Sequence, residues 1–161
     1  MMNKFLHQSS RTKTSLPHIC LGYQISKNYR IFKKATDNFI ETWNNGTDFS
    51  YLILDRNNNV CGQISLQDIN FKNHAAHFGY YLDIGATGKG YISNILKHIE
   101  KLAFANDIVR LLIVCDTTNI PSNNIAKRNN YELEGICRKY ELRYNHFYDC
   151  NQYAKINPKY K

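Results

Sequence analysis

Gly88 and Gly90 flank Lys89 directly ahead of a stretch with helical apolar spacing. At a helix mouth such glycines let backbone N–H groups converge on an anion, with the positive end of the helix dipole behind them. Downstream stand an amide, Asn119, a hydroxyl, Ser122, and a carboxylate, Glu141. A phosphate-bearing donor, a proton-donating hydroxyl and a proton-accepting carboxylate suffice for an acyl transfer without a metal. Taken singly, each residue has a plainer reading. The glycines make a tight turn, Asn119 and Ser122 cap and open a helix, and Glu141 is a surface carboxylate paired with a neighbouring base. Their order within one contiguous region is what favours chemistry.

Other chemistries fit the chain poorly. The G-x-x-x-x-G-K-[ST] spacing of a phosphate-binding loop is absent, as are the six-residue dinucleotide fingerprint and the G-x-S-x-G elbow of a serine hydrolase. The six histidines form no metal constellation; His74 and His77 lack Cys or carboxylate partners at ligand spacing, and His98 falls beside Lys97 on the helix, facing solvent. The five cysteines, Cys20, Cys61, Cys115, Cys137 and Cys150, contain no C-x-x-C pair and read as small buried groups in a reducing cytoplasm.

These residues must be positioned by a folded scaffold. Residues 1–25 are polar and weakly periodic, and are expected to be irregular; residues 26–161 form the domain. Ser26 to Trp43 has helical spacing and is stopped by Asn44-Asn45-Gly46. Three strands follow in an antiparallel meander, Phe49 to Asp55, Val60 to Gln67 and Ala76 to Asp83, joined by polar turns. Gly88 to Phe104 is the clearest helix: Ile92, Ile95, Ile99 and Leu102 share one face while Lys97 and Lys101 point away. Arg110 to Asp116 is apolar enough for a strand covered on both faces. Asn119 caps a short helix with Pro121 in its first turn. The strands Tyr131 to Tyr144 and Phe147 to Ile156 close the chain. The class is α+β, a mixed and mostly antiparallel sheet flanked by helices.

At 161 residues with 43% hydrophobic and 13% aromatic content, the chain fits one domain with a continuous core. The twelve tyrosines are expected at strand edges and pocket walls. No apolar run approaches the roughly 20 residues of a membrane span, so no membrane partner is expected. The net charge of +8 is dispersed rather than concentrated in a nucleic-acid motif. It suits a plain solvated surface, a rim attracting a polyphosphate or a face docking on an RNA-rich assembly.

Gly79-Tyr80-Tyr81-Leu82-Asp83, Gly88-Lys89-Gly90-Tyr91 and the block Asn119-x-x-Ser122-x-x-Ile125-x-x-Arg128-Asn129 through Gly135 resemble the GCN5-related N-acetyltransferase (GNAT) superfamily. Within it they resemble the RimL/RimJ branch that acetylates N-termini of ribosomal proteins; the ending Arg138 to Ile156 is similar as well. The resemblance implies acetyl-CoA as co-substrate, its pyrophosphate on the amides of Thr87, Gly88, Lys89, Gly90 and Tyr91. The pantetheine would lie beside Tyr81, Leu82 and Asp83, with Asn119 contacting the cofactor or an ordered water. It also implies Glu141 as general base, Ser122 as general acid at the cofactor, and an N-terminal amine as acceptor. Two other readings stay open on the residues: acetylation of a small amine (a polyamine or an aminoglycoside), and a non-catalytic acetyl-CoA-binding protein. Gly85 departs from the usual Gln or Arg ahead of the loop, and Asn130 replaces a common glycine, so Asn130 is expected in the left-handed region. The N-terminal side is short for the family, so its first strand is expected to be missing and the sheet edge open. A homodimer would be one way to cover that edge.

Overall fold

The computed structural model describes residues 19–21 and 40–160. Seven strands form one sheet: β1 (Ile19–Leu21), β2 (Phe49–Leu54), β3 (Val60–Asn70), β4 (Ala75–Leu82), β5 (Arg110–Asp116), β6 (Glu132–Arg143) and β7 (His146–Ile156). Two helices, α1 (Tyr91–Ala105) and α2 (Ile120–Arg128), connect β4 to β5 and β5 to β6. The spatial order is β1-β2-β3-β4-β5-β7-β6. Only β4 and β5 run parallel; every other neighbouring pair is antiparallel. The mixed, mostly antiparallel α+β domain expected from the sequence is the one observed.

The strands follow from their alternation. In β3, Ile64 and Leu66 are fully buried on one face, Ser65 between them is buried on the other, and Gln63 and Gln67 are half-buried. In β5, Leu111 and Ile113 on one face and Leu112 on the other are all buried, as its near-continuous apolar run requires. Helix α1 buries Ile92, Ile95, Leu96, Ile99 and Ala103 and leaves Lys97 and Lys101 exposed. Leu102 is only partly buried, so the buried stripe is centred on Leu96 and Ala103. Residues 40–45 are helical and end at Gly46, whose φ of 69° suits a residue without a Cβ. Trp43 docks that segment edge-on against Phe49 and Tyr51, at 4.7 and 5.6 Å between centroids, and its Nε1 donates to the Ser50 carbonyl.

Two expectations are corrected. Ile19–Leu21 lies inside the segment expected to be irregular, yet it pairs antiparallel with β2, Cys20 opposite Leu52. The first strand is therefore present; three residues carry too short an alternation to be distinguished from their polar surroundings. The tyrosines are not confined to edges and pocket walls either: Tyr51, Tyr131 and Tyr153 belong to the core. The part of the expected first helix before residue 40 lies outside the described residues.

Candidate active site

Beyond Phe78, β4 and β5 stop pairing. Their parallel register runs from Ala75 opposite Arg110 to Phe78 opposite Ile113, although β4 continues to Leu82 and β5 to Asp116. The two strands part, and a wedge opens between their C-terminal ends. Asp83 donates its N–H to Cys61 on the β3 side. Backbone alternation therefore turns the N–H groups of Leu82 and Tyr80 toward the wedge. At the far side of β4, Gly62 sits where a Cβ would lie 2.5 Å from the Tyr81 carbonyl, so β3 supports the diverging strand at backbone contact.

The glycine loop stands at the mouth of this wedge. A short 3₁₀ turn, Ile84–Ala86, leads out of β4, and Gly88 and Gly90 both take positive φ, 75° and 77°. Gly90 is the N-cap of α1, and the first helical amide accepted within the turn is that of Asn94, by the Gly90 carbonyl. The amides of Tyr91, Ile92 and Ser93 are the orphan donors of a helix start. A Cβ at Gly88 would meet nothing within 4 Å, and one at Gly90 only the Asn94 amide at 3.9 Å, so the space before the loop is open. Thr87 differs from expectation: its N–H and its Oγ1 both bond the Ile84 carbonyl, which commits that amide to the turn. Of the amides expected to hold an anion, those of Gly88 to Tyr91 stay available. Lys89 is exposed beside them, and these residues fit a diphosphate.

Helix α2 closes the wedge. The Asn119 side chain accepts from the Ser122 amide at 3.2 Å, the cap expected from the sequence, with Pro121 in the first turn. Ser122 is buried, and its Oγ lies 2.8 Å from the Tyr80 hydroxyl of β4, which carries that hydroxyl across the opening. Burial pushes the Tyr80 phenol up to about 12, partly offset by the bond to Ser122, so it stays protonated at neutral pH. Helix α2 is anchored by Asn123. Its amide donates to the Asp116 and Asn119 carbonyls, and its oxygen accepts from Asn151 at 2.7 Å and Tyr153 at 2.8 Å. Asn130, just past the helix, has φ 60°, the left-handed conformation expected of it. Tyr81 and Asp83 are exposed and Leu82 half-buried along the same strand end.

Glu141 comes from the edge strand β6 and is exposed. Its carboxylate pairs with Arg143, Oε1 to Nε 3.2 Å, and makes no hydrogen bond to Ser122. Arg143 also binds the buried Asp116 carboxylate at 2.5 Å and lies over the Tyr148 ring at 4.1 Å. Asp116 in turn accepts from the amide and hydroxyl of Thr118, at 2.8 and 2.7 Å, at the start of the turn into α2. Those two bonds, with Arg143 beside it, hold the Asp116 carboxyl below the usual range.

The sequence expectations thus divide into two groups. The glycine loop, Asn119, Ser122, Tyr81, Leu82 and Asp83 converge on the wedge, while Glu141 reaches its rim through Arg143. Asp116 and Arg143 carried no signal of their own in sequence, and Tyr80 stood in the strand motif without a role. Tyr80 is separated from Ser122 by 42 positions, and only the parallel crossover brings them together. Among the described residues no group of His, Cys, Asp and Glu could hold a metal ion. Cys61, Cys115 and Cys150 are buried free thiols, pushed up chiefly by that burial, and Cys137 is a half-buried free thiol. His74 is tied to the Asp107 carbonyl at 2.8 Å. No described helix is long and apolar enough to cross a membrane.

A parallel strand pair splayed over an anion-binding helix start is the architecture of an N-acetyltransferase fold. The profile of the acetyltransferase (GNAT) domain matches residues 11–132, so the chain belongs to the GNAT acetyltransferase family. Within that family it is similar to the RimL branch. The ribosomal-protein-serine acetyltransferase of Escherichia coli (strain K12) is 36% identical over 98 residues, 60% of this chain and 55% of the relative. The match thus spans little more than half of that relative. The solved structure of RimL, a ribosomal L7/L12 α-N-protein acetyltransferase in complex with coenzyme A, superposes with a TM-score of 0.73 at 33% identity, covering 77% of this chain and 70% of RimL. The Salmonella typhimurium acetyl transferase that modifies the N-terminal serine of L7/L12 gives 0.72 at 32% identity, over 84% and 78% of the two chains.

Proposed function

We propose that this protein transfers the acetyl group of acetyl-CoA to the N-terminal α-amine of a ribosomal protein. The observation that carries the reading is the Tyr80–Ser122 hydroxyl pair, 2.8 Å apart inside the wedge that the glycine loop opens onto. Two similarities support it: RimL binds coenzyme A, and the Salmonella typhimurium protein modifies an N-terminal serine of L7/L12.

The residues present suit such a transfer. The amides of Gly88, Lys89, Gly90 and Tyr91 would hold the diphosphate, with Lys89 adding positive charge. Asn119 positions the helix that presents Ser122. An N-terminal amine has a pKa of about 8, so a neutral fraction is present near neutral pH, and in that form it has one proton to lose on becoming an amide. Glu141 takes that proton as the amine nitrogen bonds to the thioester carbon. Charge developing on the carbonyl oxygen is met by the wedge-facing amide of Leu82. As the carbon–sulfur bond breaks, Ser122 gives its proton to the thiolate and recovers one from the neutral Tyr80 phenol, which is reprotonated from solvent as Glu141 releases the proton it took.

A ribosomal acceptor implies a cytoplasmic protein. The basic surface suits contact with the ribosome, and a second copy would cover β6, whose Leu133, Ile136 and Leu142 are exposed. The test is mass spectrometry of acetyl transfer to a short peptide with a free N-terminal serine, beside spermidine, an aminoglycoside and the same peptide N-terminally blocked. Acetylation confined to the free terminus supports the reading. Transfer to spermidine or the aminoglycoside in preference, or coenzyme A binding without transfer to any of them, refutes it.

A further inference from the structure

We infer that Arg143 is a positioning residue, holding the Glu141 carboxylate against the end of β5 and so coupling the base to the turn that carries the acid; the inference rests on the proposed role of Glu141. A carboxylate on an exposed edge strand has several rotamers open to it, and one surface ion pair is worth only about 0–1 kcal/mol. Arg143 is different, because its own guanidinium is fixed from two other directions. Nη2 sits 2.5 Å from Asp116 Oδ2, on a carboxylate that is only 9% exposed, and the plane stacks on Tyr148 at 4.1 Å. Its Nε is buried with Glu141 Oε1 3.2 Å away, a charge contact rather than an aligned hydrogen bond.

The backbone is shaped to make this meeting. Cys137 pairs with Cys150 and Glu141 with Tyr148, so four steps along β6 are taken up against two along β7. The bulge contains Lys139 at φ 51°, whose amide is captured by Asp149 Oδ1 at 2.8 Å. A bulge re-aims the side chains beyond it, and here it brings Glu141, Arg143 and Tyr148 together. From Arg143 the chain of contacts continues through Asp116 to Thr118, the residue before Asn119. Base and acid are thereby tied to one polar frame.

The test is a double-mutant cycle of Glu141→Gln and Arg143→Gln, with Arg143→Lys as a milder variant. It is read as kcat and KM with acetyl-CoA and a peptide bearing a free N-terminal serine, and folding is checked by thermal melting. Expected are about a hundredfold loss of kcat for Glu141→Gln and about tenfold for Arg143→Gln. The double variant should be no slower than Glu141→Gln, and the KM for acetyl-CoA unchanged throughout. Arg143→Lys should fall between wild type and Arg143→Gln, because a point charge holds one carboxylate but cannot bridge two; it decides the matter if Arg143→Gln does not fold. If the double variant loses the product of the two single effects, or Arg143→Lys keeps full kcat, the positioning role is wrong while Glu141 stands as base. If Glu141→Gln turns over normally, the base assignment fails and the inference falls with it.

Discussion

Replacing Ser122 with alanine probes the centre of the wedge in two ways at once. The Tyr80 hydroxyl, whose burial raises its pKa to about 12, loses its partner at 2.8 Å. Leaving a desolvated hydroxyl unsatisfied costs about 1–2 kcal/mol, which lowers the melting temperature of a domain this size by about 2–8 °C. Tyr80→Phe should cost less, because Ser122 keeps the Cys115 thiol beside it. The pair Tyr80→Phe with Ser122→Ala removes both partners and should regain part of the loss. Catalysis should behave differently. Removing the acid slows turnover by about a hundredfold, about 3 kcal/mol of barrier. Tyr80→Phe slows it by about tenfold, since it acts only by restoring the Ser122 proton. The double variant should match Ser122→Ala, because Tyr80 has no route to the leaving group except through that hydroxyl. The assays are thermal melting and thiol release from acetyl-CoA in the presence of the serine peptide. Unchanged turnover in Ser122→Ala, or a double variant slower by the product of both effects, refutes the relay.

Other perturbations follow from the same contacts. Gly90→Glu or Gly88→Glu places a negative charge and a strained positive φ at the helix mouth, and should weaken coenzyme A binding at least tenfold by calorimetry while leaving the fold intact. Asp116 and Glu134 both have lowered pKa values, Asp116 mainly from the Thr118 bonds and Glu134 mainly from Arg110. A depressed carboxyl contributes stability above its unfolded value that is lost as pH falls through the folded one. Melting temperature should therefore drop as pH falls below about 4, with a shallower drop in Glu134→Gln. Lys155 is half-buried against the buried Glu100 at 2.6 Å and the Asn129 carbonyl at 3.0 Å, with Tyr131 also bonded to Glu100. Lys155→Met strands that carboxylate and should destabilise by about 3–5 kcal/mol in denaturant unfolding; the loss should shrink when Glu100→Gln is added.

The elements that position the site were legible because each repeats its pattern often enough to be counted. Helix α1 carries four turns of apolar spacing, and β2 to β5 are apolar or alternating runs bounded by turn residues. Gly90 at the helix mouth, the Asn119 cap and the left-handed Asn130 could be read because each residue type suits the backbone it adopts. β1 could not, since three residues give too little alternation and their pairing is made by backbone. The Tyr80–Ser122 bond was hidden for another reason: it depends on where the parallel register ends, after Phe78 and Ile113, and no local spacing encodes that. Glu141 was found as a residue but not as a geometry. Its aim depends on a bulge around Lys139, where a lysine adopts a conformation its type does not advertise.

A crystal structure of the protein with coenzyme A bears most directly on the whole account. The diphosphate should lie within hydrogen-bond distance of the amides of Gly88 to Tyr91, with the sulfur entering between β4 and β5 beside the Ser122 hydroxyl. A diphosphate bound away from that helix start, or a sulfur remote from Ser122 and Tyr80, would contradict it.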